Sequence, residues 1–210
     1  MTEYYIPTGH SQTELVEKRS RFIGQVWRVS SEEEARRRIE ETKKQHYDAR
    51  HNCWCYLIRD GAVRYSDDGE PQGTAGQPML NVFQREGVEN VCCVVTRYFG
   101  GVLLGANGLV RAYSHSTALA IENAQVKVML PCYPVSIQTD YALYGKIAYH
   151  LPQEDILQLD TIFEDQVELK LLVRDSLWEP LKKELIDLTS GQVEIVSGGL
   201  QYAAFSKVKK

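Results

Sequence analysis

The residues best suited to chemistry lie in one stretch, Arg97 to Arg111, in which four glycines stand between two arginines. An apolar run precedes this stretch and a helix-like run follows it. A glycine-rich turn between a strand and a helix exposes backbone N–H groups and a helix N-terminus, and both attract anions. Guanidinium groups add planar donors for phosphate or carboxylate. We therefore predict an anion or partner contact at Arg97, Tyr98, Gly100, Gly101, Gly105, Asn107, Gly108 and Arg111, with Arg21 from the basic cluster upstream.

The familiar nucleotide-binding patterns are absent from this glycine loop. Gly100 and Gly105 have the spacing of P-loop glycines, but Ala106 and Asn107 stand where Lys and Ser or Thr should follow. A G-x-G-x-x-G pattern is missing because Val102 follows Gly101 directly. The alternative to a binding loop is that the glycines only permit a sharp turn and close packing of strand on helix.

A second unusual segment is the acidic turn, in which Asp67, Asp68 and Glu70 place three carboxylates within four residues. Such a group could bind Mg²⁺ or take part in acid–base chemistry. Asp-Gly and Glu-Pro are also ordinary turn formers, and these acids could accept backbone N–H bonds or pair with Arg97 or Arg111. The sequence favours a self-paired turn, predicts no cofactor and leaves metal binding undetermined.

The remaining reactive side chains give weaker signals. His51 with Cys53 and Cys55 suggests metal ligands, but no C-x-x-C pair supports them, so we predict buried core cysteines. The alternatives for His51 itself are an acid–base group or an anchor at a strand start. His115 follows Arg111 by one helical turn, so the two side chains could share a face. No G-x-S-x-G pattern indicates a serine hydrolase.

Composition restricts the class of protein. The chain has 210 residues, a formal net charge of −4 and five cysteines, an odd number that argues against a disulfide framework. The net charge argues against duplex DNA as a partner. No apolar stretch is long enough to span a membrane, and Met1 to Gln12 lack a signal-peptide core, so we expect a cytoplasmic protein without a membrane partner. The oligomeric state is not indicated.

Periodicity predicts the elements that position these residues. Ser31 with Glu34 forms a capping box at a helix start, and Asp60-Gly61 predicts a hairpin turn. Gly87 is the expected end of a short helix. The predicted strands of the first half are 13–16, 22–29, 53–58, 63–65, 91–96 and 126–130, and the predicted helices begin at Ser31 and cover 78–85 and 109–123.

The segment Pro131 to Pro134 interrupts the pattern, and it divides the predicted domains at residues 1–132 and 133–210. Beyond it the order is β-α-β-β-α-β, which is the ferredoxin-like arrangement. The elements are strands at 135–139, 156–163 and 167–173, helices at 144–151 and 178–188, and a final strand from Val193. The aromatic motif of an RNA-recognition module is absent. Tyr98 and Tyr113 flank the glycine loop and could stack on a base or pack in the core.

Four groups of residues resemble the YigZ/IMPACT family over about residues 18–124. They are Ser20-Arg21-Phe22-Ile23, Ala49-Arg50-His51-Asn52-Cys53, Ser66–Pro71 with Gly73–Gly76, and Thr96–Gly101 through Gly105 to Leu109–Tyr113. The remainder resembles the small second domain of the family's bacterial branch. Asn107 stands where the family usually carries glycine, and because asparagine tolerates positive φ we expect the turn to be kept.

The resemblance implies an α+β fold in two domains. The first would be similar to the second domain of a small-ribosomal-subunit protein and to the fourth domain of elongation factor G. The second, ferredoxin-like domain would resemble that factor's fifth domain. Eukaryotic members bind a translational-stress effector on the ribosome and restrain a kinase that phosphorylates an initiation factor, whereas bacterial members have no firmly assigned activity.

These observations lead to one leading expectation and two alternatives. The leading expectation is a non-enzymatic, translation-associated regulator that contacts the ribosome, RNA or a translation-related protein through the glycine loop and the acidic turn. The first alternative is an enzyme acting on a phosphorylated small molecule, with Asp67, Asp68 and Glu70 holding Mg²⁺ and Arg97 or Arg111 gripping phosphate. The second is a protein–protein adaptor, which predicts an exposed apolar patch.

Overall fold

The computed structural model describes residues 3–151 and 156–205, and its backbone divides into two compact units. One unit is Tyr4–Lys127, which we call the N-terminal unit, and the other is built mainly from the chain after Lys127 and is called the C-terminal unit. The elements are β1 Tyr4–Pro7, β2 Ser11–Glu17, β3 Ser20–Arg28, α1 Glu32–Gln45, β4 His51–Leu57, β5 Val63–Ser66, α2 Gly76–Glu86, β6 Val91–Tyr98, α3 Ala106–Ala124, β7 Val126–Thr139, α4 Tyr141–His150, β8 Ile156–Phe163, β9 Val167–Arg174, α5 Asp175–Leu188, β10 Glu194–Ser197 and β11 Gln201–Phe205.

The N-terminal unit is built around an antiparallel sheet with the strand order β2-β3-β6-β4-β5. Its central strand, β6, is buried on both faces as its apolar run predicted. Because side chains alternate along a strand, Cys93 and Val95 pack with α2 and α3, whereas Cys92 and Val94 pack with α1 on the opposite face. The sheet therefore separates α1 from the two helices that carry the glycine loop and the acidic turn.

Short sequence patterns predicted two of the helix ends in this unit correctly. The Ser31 hydroxyl accepts a hydrogen bond from the Glu34 N–H, which confirms the predicted cap of α1. Gly87 ends α2 with φ 65°, as predicted. Helices α2 and α3 begin two and three residues earlier than predicted, at Gly76 and Ala106, because glycine and alanine carry little hydrophobic periodicity.

The C-terminal unit has the predicted ferredoxin-like order. Strands β10, β7, β9 and β8 are neighbours in that sequence, and every pair is antiparallel. Helices α4 and α5 pack on the sheet through residues such as Ile147 and Leu185. Strand β11, which also pairs with β7, was not predicted. No helix in the described part of the chain is long and apolar enough to cross a membrane.

Strand β7 runs without interruption through the segment where the sequence predicted a break. Two prolines lie in this strand, and a proline is tolerated in a strand where its missing N–H faces no partner. Pro131 pairs with Tyr202 of β11 but lies before Cys132, where the register with β9 begins. Pro134 pairs with β9 and lies between the registers of β10 and β11, so its missing N–H removes no ladder bond on that edge.

Candidate functional site

The glycine loop packs against the basic turn that joins β2 to β3. At Gly100, an added Cβ would lie 2.0 Å from the carbonyl carbon of Arg19, so only glycine fits there. The Gly100 N–H donates to the Ser20 hydroxyl at 3.2 Å, which fixes loop and turn together. Gly101 and Gly105 hold left-handed backbone at φ 82° and 72°. Three of the four predicted glycines thus have architectural roles in the loop.

The end of the loop forms the first turn of α3. Asn107 and Gly108 are helical, so the expectation that Asn107 would need positive φ is wrong, although the turn itself is kept. The Leu109 N–H is the first to bond inside the helix, to the Gly105 carbonyl at 2.9 Å. The backbone N–H groups of residues 106–108 therefore have no intrahelical acceptor, and this end of the helix favours negative charge.

Arg97 is buried, with only 5% of its surface exposed, and forms an ion pair with the acidic turn. Its Nη1 donates to Glu70 Oε1 at 2.6 Å, and the Tyr113 hydroxyl donates to the same oxygen at 2.9 Å. Burial raises the pKa of Tyr113, so this hydroxyl stays protonated and able to donate. The predicted pairing of an acid with Arg97 is formed by Glu70, deep under the loop.

The other two acids of the turn have separate partners. Asp67 accepts hydrogen bonds from the N–H groups of Gly73, Ala75 and Gly76 at 2.8 to 3.0 Å, which satisfies the start of α2. Asp68 accepts from the Asn52 N–H at 2.7 Å and pairs with Lys43 at 3.0 Å. Within residues 3–151 and 156–205, no three His, Cys, Asp or Glu side chains are arranged to hold a metal ion.

His51 and Cys53 fasten β4 to the acidic turn. The His51 Nδ1 lies 2.8 Å from the Asp68 carbonyl oxygen, which can only accept, so this nitrogen carries a proton. The Cys53 thiol donates to the Asp67 carbonyl at 2.9 Å. Burial raises the pKa of the Cys53 thiol. All five cysteines are free and buried, which confirms the burial predicted for Cys53 and Cys55.

Arg111 faces a different region, a cleft of about 670 Å³ between β2, α2 and α3. We call it the basic cleft, because Lys18, Arg85, Arg111 and His115 line it together with Glu17. His115 and Arg111 thus lie along one cleft. In the described part of the chain, Lys18 and Arg111 have no carboxylate partner, and both side chains remain available to an anion.

Arg97 and the acidic turn line a second cleft of about 430 Å³. We call it the Phe99 cleft; its walls include His51, Glu70, Arg97, Phe99, Leu103 and Leu104, with Arg50 and Gly105 also contributing. Leu104 lines both clefts, so they adjoin, but the two predicted arginines do not meet in one site. Sequence reasoning did not include Phe99 or Arg50; their place in the family motifs was the available signal.

Tyr98 and Arg21 interact with each other and with their own neighbours. The Tyr98 hydroxyl donates to Asp48 at 3.1 Å, and the Arg21 guanidinium lies 5.6 Å from the Tyr98 ring centroid. Arg21 also forms a bidentate pair with Glu14 at 3.0 and 2.9 Å, which lowers the pKa of that carboxyl. Neither residue lines the basic cleft or the Phe99 cleft.

Comparison with known proteins gives consistent matches over both units. The model of the Impact N-terminal domain matches residues 18–121, and a domain of unknown function, DUF1949, matches residues 137–192. The IMPACT family member YvyE of Bacillus subtilis is 37% identical over 95% of this chain and 93% of its own. The IMPACT family member YigZ of Escherichia coli is 32% identical over 86% and 90%, respectively.

More distant relatives match a smaller share of the chain. A protein IMPACT homolog of Dictyostelium discoideum is 33% identical over 52% of this chain and 32% of its own length. Among solved structures, one described as the crystal structure of a hypothetical protein superposes with a TM-score of 0.59. It is 30% identical and covers 95% of this chain and 98% of its own.

Proposed function

This chain belongs to the IMPACT family, and from that membership we propose that it is a non-enzymatic, cytoplasmic regulator of translation that binds RNA through its N-terminal unit. The RNA of the ribosome is the expected target, because the resemblance implies that eukaryotic members of the family act on the ribosome. The contact surface we propose is the basic cleft. The main support for this proposal is that several cationic side chains face one open groove, although the net charge of the protein is −4.

The arrangement of these cations suits a phosphate backbone. Lys18, Arg85 and Arg111 come from a hairpin turn and two helices, and all three line the groove. Contacts of this kind bind successive phosphates and carry little sequence information. Lys18 holds left-handed backbone at φ 45°, a conformation that asparagine or glycine usually adopts in such turns, so the lysine occupies this position against its backbone preference.

The catalytic alternative has less support from the same geometry. An enzyme that transfers phosphate needs acids and arginines aimed at one reacting group. Asp67 holds the start of α2, Asp68 pairs with Lys43, and Arg111 lies in the other cleft. Asp67 and Asp68 therefore stabilise the fold of the turn, whereas the cations of the basic cleft face solvent.

Binding of labelled single-stranded RNA, measured by fluorescence anisotropy over a series of salt concentrations, tests this proposal. Arg111→Glu should weaken binding about tenfold or more at low salt and reduce the salt slope by roughly one to two, since one phosphate contact becomes a repulsion. Arg37→Glu is the matched control, because Arg37 is an exposed helix residue of α1 on the opposite face of the sheet. Absence of binding at low salt, or equal effects of the two variants, would refute the RNA contact.

A further inference from the structure

The Phe99 cleft lies outside the surface proposed to bind the RNA backbone, yet its size and lining are typical of a small-ligand site. At about 430 Å³ it is large enough for a nucleotide-sized molecule. Its lining combines the polar side chains of Arg50, His51, Glu70 and Arg97 with the apolar side chains of Phe99, Leu103 and Leu104. Arg97 is 5% exposed, and its Nε has no hydrogen-bond partner among the described residues.

The polar end of the cleft offers two hydrogen-bond acceptors. Glu70 Oε1 is occupied by Arg97 and Tyr113, which leaves Oε2 without a donor in the described part of the chain. His51 donates through Nδ1 to the Asp68 carbonyl, so in the neutral form of the ring Nε2 is an acceptor. These two acceptors, Oε2 and Nε2, lie 3.9 Å apart. One nitrogen bearing two hydrogens can reach both at an ordinary distance of about 2.8 to 3.0 Å.

Phe99, whose ring centroid lies 5.5 Å from the Arg97 guanidinium, offers a surface for a flat ring. Phe99 is 39% exposed, although it belongs to a loop that otherwise packs on the β2–β3 turn. The Arg50 guanidinium is exposed and lies 5.5 Å from the Phe99 ring centroid, where it supplies a cation for a phosphate. Aromatic rings and arginine planes are the surfaces on which single-stranded bases stack.

We propose that the Phe99 cleft binds one unstacked nucleobase and reads its exocyclic amino group with Glu70 and His51. Adenine, cytosine and guanine carry that group, and uracil presents a carbonyl oxygen instead, which would face two acceptors. The proposal deepens the proposed function, on which it rests: because Leu104 lines both clefts, a strand held in the basic cleft can place a base in the Phe99 cleft. A free nucleotide is the other source of the same chemistry.

Isothermal titration of the whole protein with CMP and with UMP tests the base site directly, since the pyrimidines present an amino group or a carbonyl at the same position. CMP should bind about tenfold tighter than UMP, because the carbonyl would leave both acceptors unpaired. Phe99→Ala should weaken CMP binding about tenfold through lost stacking. Phe163→Ala, which removes a 55% exposed phenylalanine from the C-terminal unit, should leave it unchanged.

The outcomes separate this site from the RNA contact. Equal affinity for CMP and UMP, no CMP binding, or equal effects of the two phenylalanine variants would overturn the base site, and the salt-dependent contact of Arg111 would be unaffected. A CMP preference without RNA binding would support the base site and refute the RNA contact. Oligocytidylate and oligouridylate of equal length distinguish the two sources: a preference for oligocytidylate that survives Arg111→Glu supports a base presented by RNA, and a preference confined to CMP supports a free nucleotide.

Discussion

Replacing Arg97 with methionine should destabilise the N-terminal unit by about 3–5 kcal/mol. Glu70, whose side chain is 4% exposed, would keep its charge away from water with the Tyr113 hydroxyl as its remaining donor. The 2.6 Å bond between Arg97 Nη1 and Glu70 Oε1 marks a close charge-assisted pair. Most of the expected loss comes from the uncompensated Glu70 carboxylate, so Arg97→Met combined with Glu70→Gln should recover much of it.

Urea unfolding followed by tryptophan fluorescence measures this loss. Trp27 and Trp54 lie in the N-terminal unit and Trp178 in the other, so a Trp178→Phe background makes the signal specific. With a slope of roughly 1.5 kcal/mol per molar urea, the midpoint should fall by about 2–3 M. Arg111→Met, at an exposed helix position, should stay within about 0.5 kcal/mol of the background protein. A shift no larger for Arg97→Met than for Arg111→Met would refute the buried ion pair.

Two further predictions concern the packing of the N-terminal unit. Gly100→Ala should lower the free energy of unfolding in urea by about 3 kcal/mol or more, because its Cβ would overlap the Arg19 backbone. Gly9→Ala is the control and should be nearly neutral, because a Cβ there would have no atom within 4 Å. Similar unfolding midpoints for the two variants would contradict the close approach of Gly100 to Arg19. Burial raises the pKa of Cys93 to about 12, and that of Cys55 well above its usual value. Below about pH 8.5 the thiols are protonated in both states, and their burial makes its full contribution to the free energy of unfolding. Above this pH the unfolded thiols ionise, so the free energy of unfolding should fall by about 1.4 kcal/mol per thiol per pH unit. Equal unfolding midpoints at about pH 8 and about pH 10 would contradict this burial.

The sequence allowed much of the fold to be predicted because the relevant signals are local. Capping by Ser31, the end of α2 at Gly87 and the alternation of β9 depend on residues a few positions apart, and each was placed correctly. The start of α2 lacks hydrophobic periodicity, and the side chain that satisfies the N–H of Gly76 is Asp67, nine residues earlier along the chain. A cap supplied from such a distance has no periodic signature in the sequence.

The sequence did not indicate that Arg97 and Arg111 would line two different clefts. Sequence reasoning treated Arg97 and Arg111 as equivalent because both flank the glycine loop, yet one is buried and the other exposed. The alternation of side chains along β6 indicates that Arg97 is the buried one, because it follows Cys93 and Val95 on the face that packs against α2 and α3. The partner that permits a charge there, Glu70, is 27 residues away, and only tertiary structure brings the two together.

The difference between buried and exposed residues of the two clefts determines which substitutions can report on ligand binding. Gly100 holds the loop on the β2–β3 turn, and Glu70 connects Arg97 with Tyr113 beneath it, so changes at either residue disturb both clefts whether or not a ligand touches them. Lost affinity in those variants would not separate contact from architecture. Arg111 and Phe99 are exposed and make fewer structural bonds, and an affinity that falls there while the unfolding midpoint holds can be assigned to contact with the ligand.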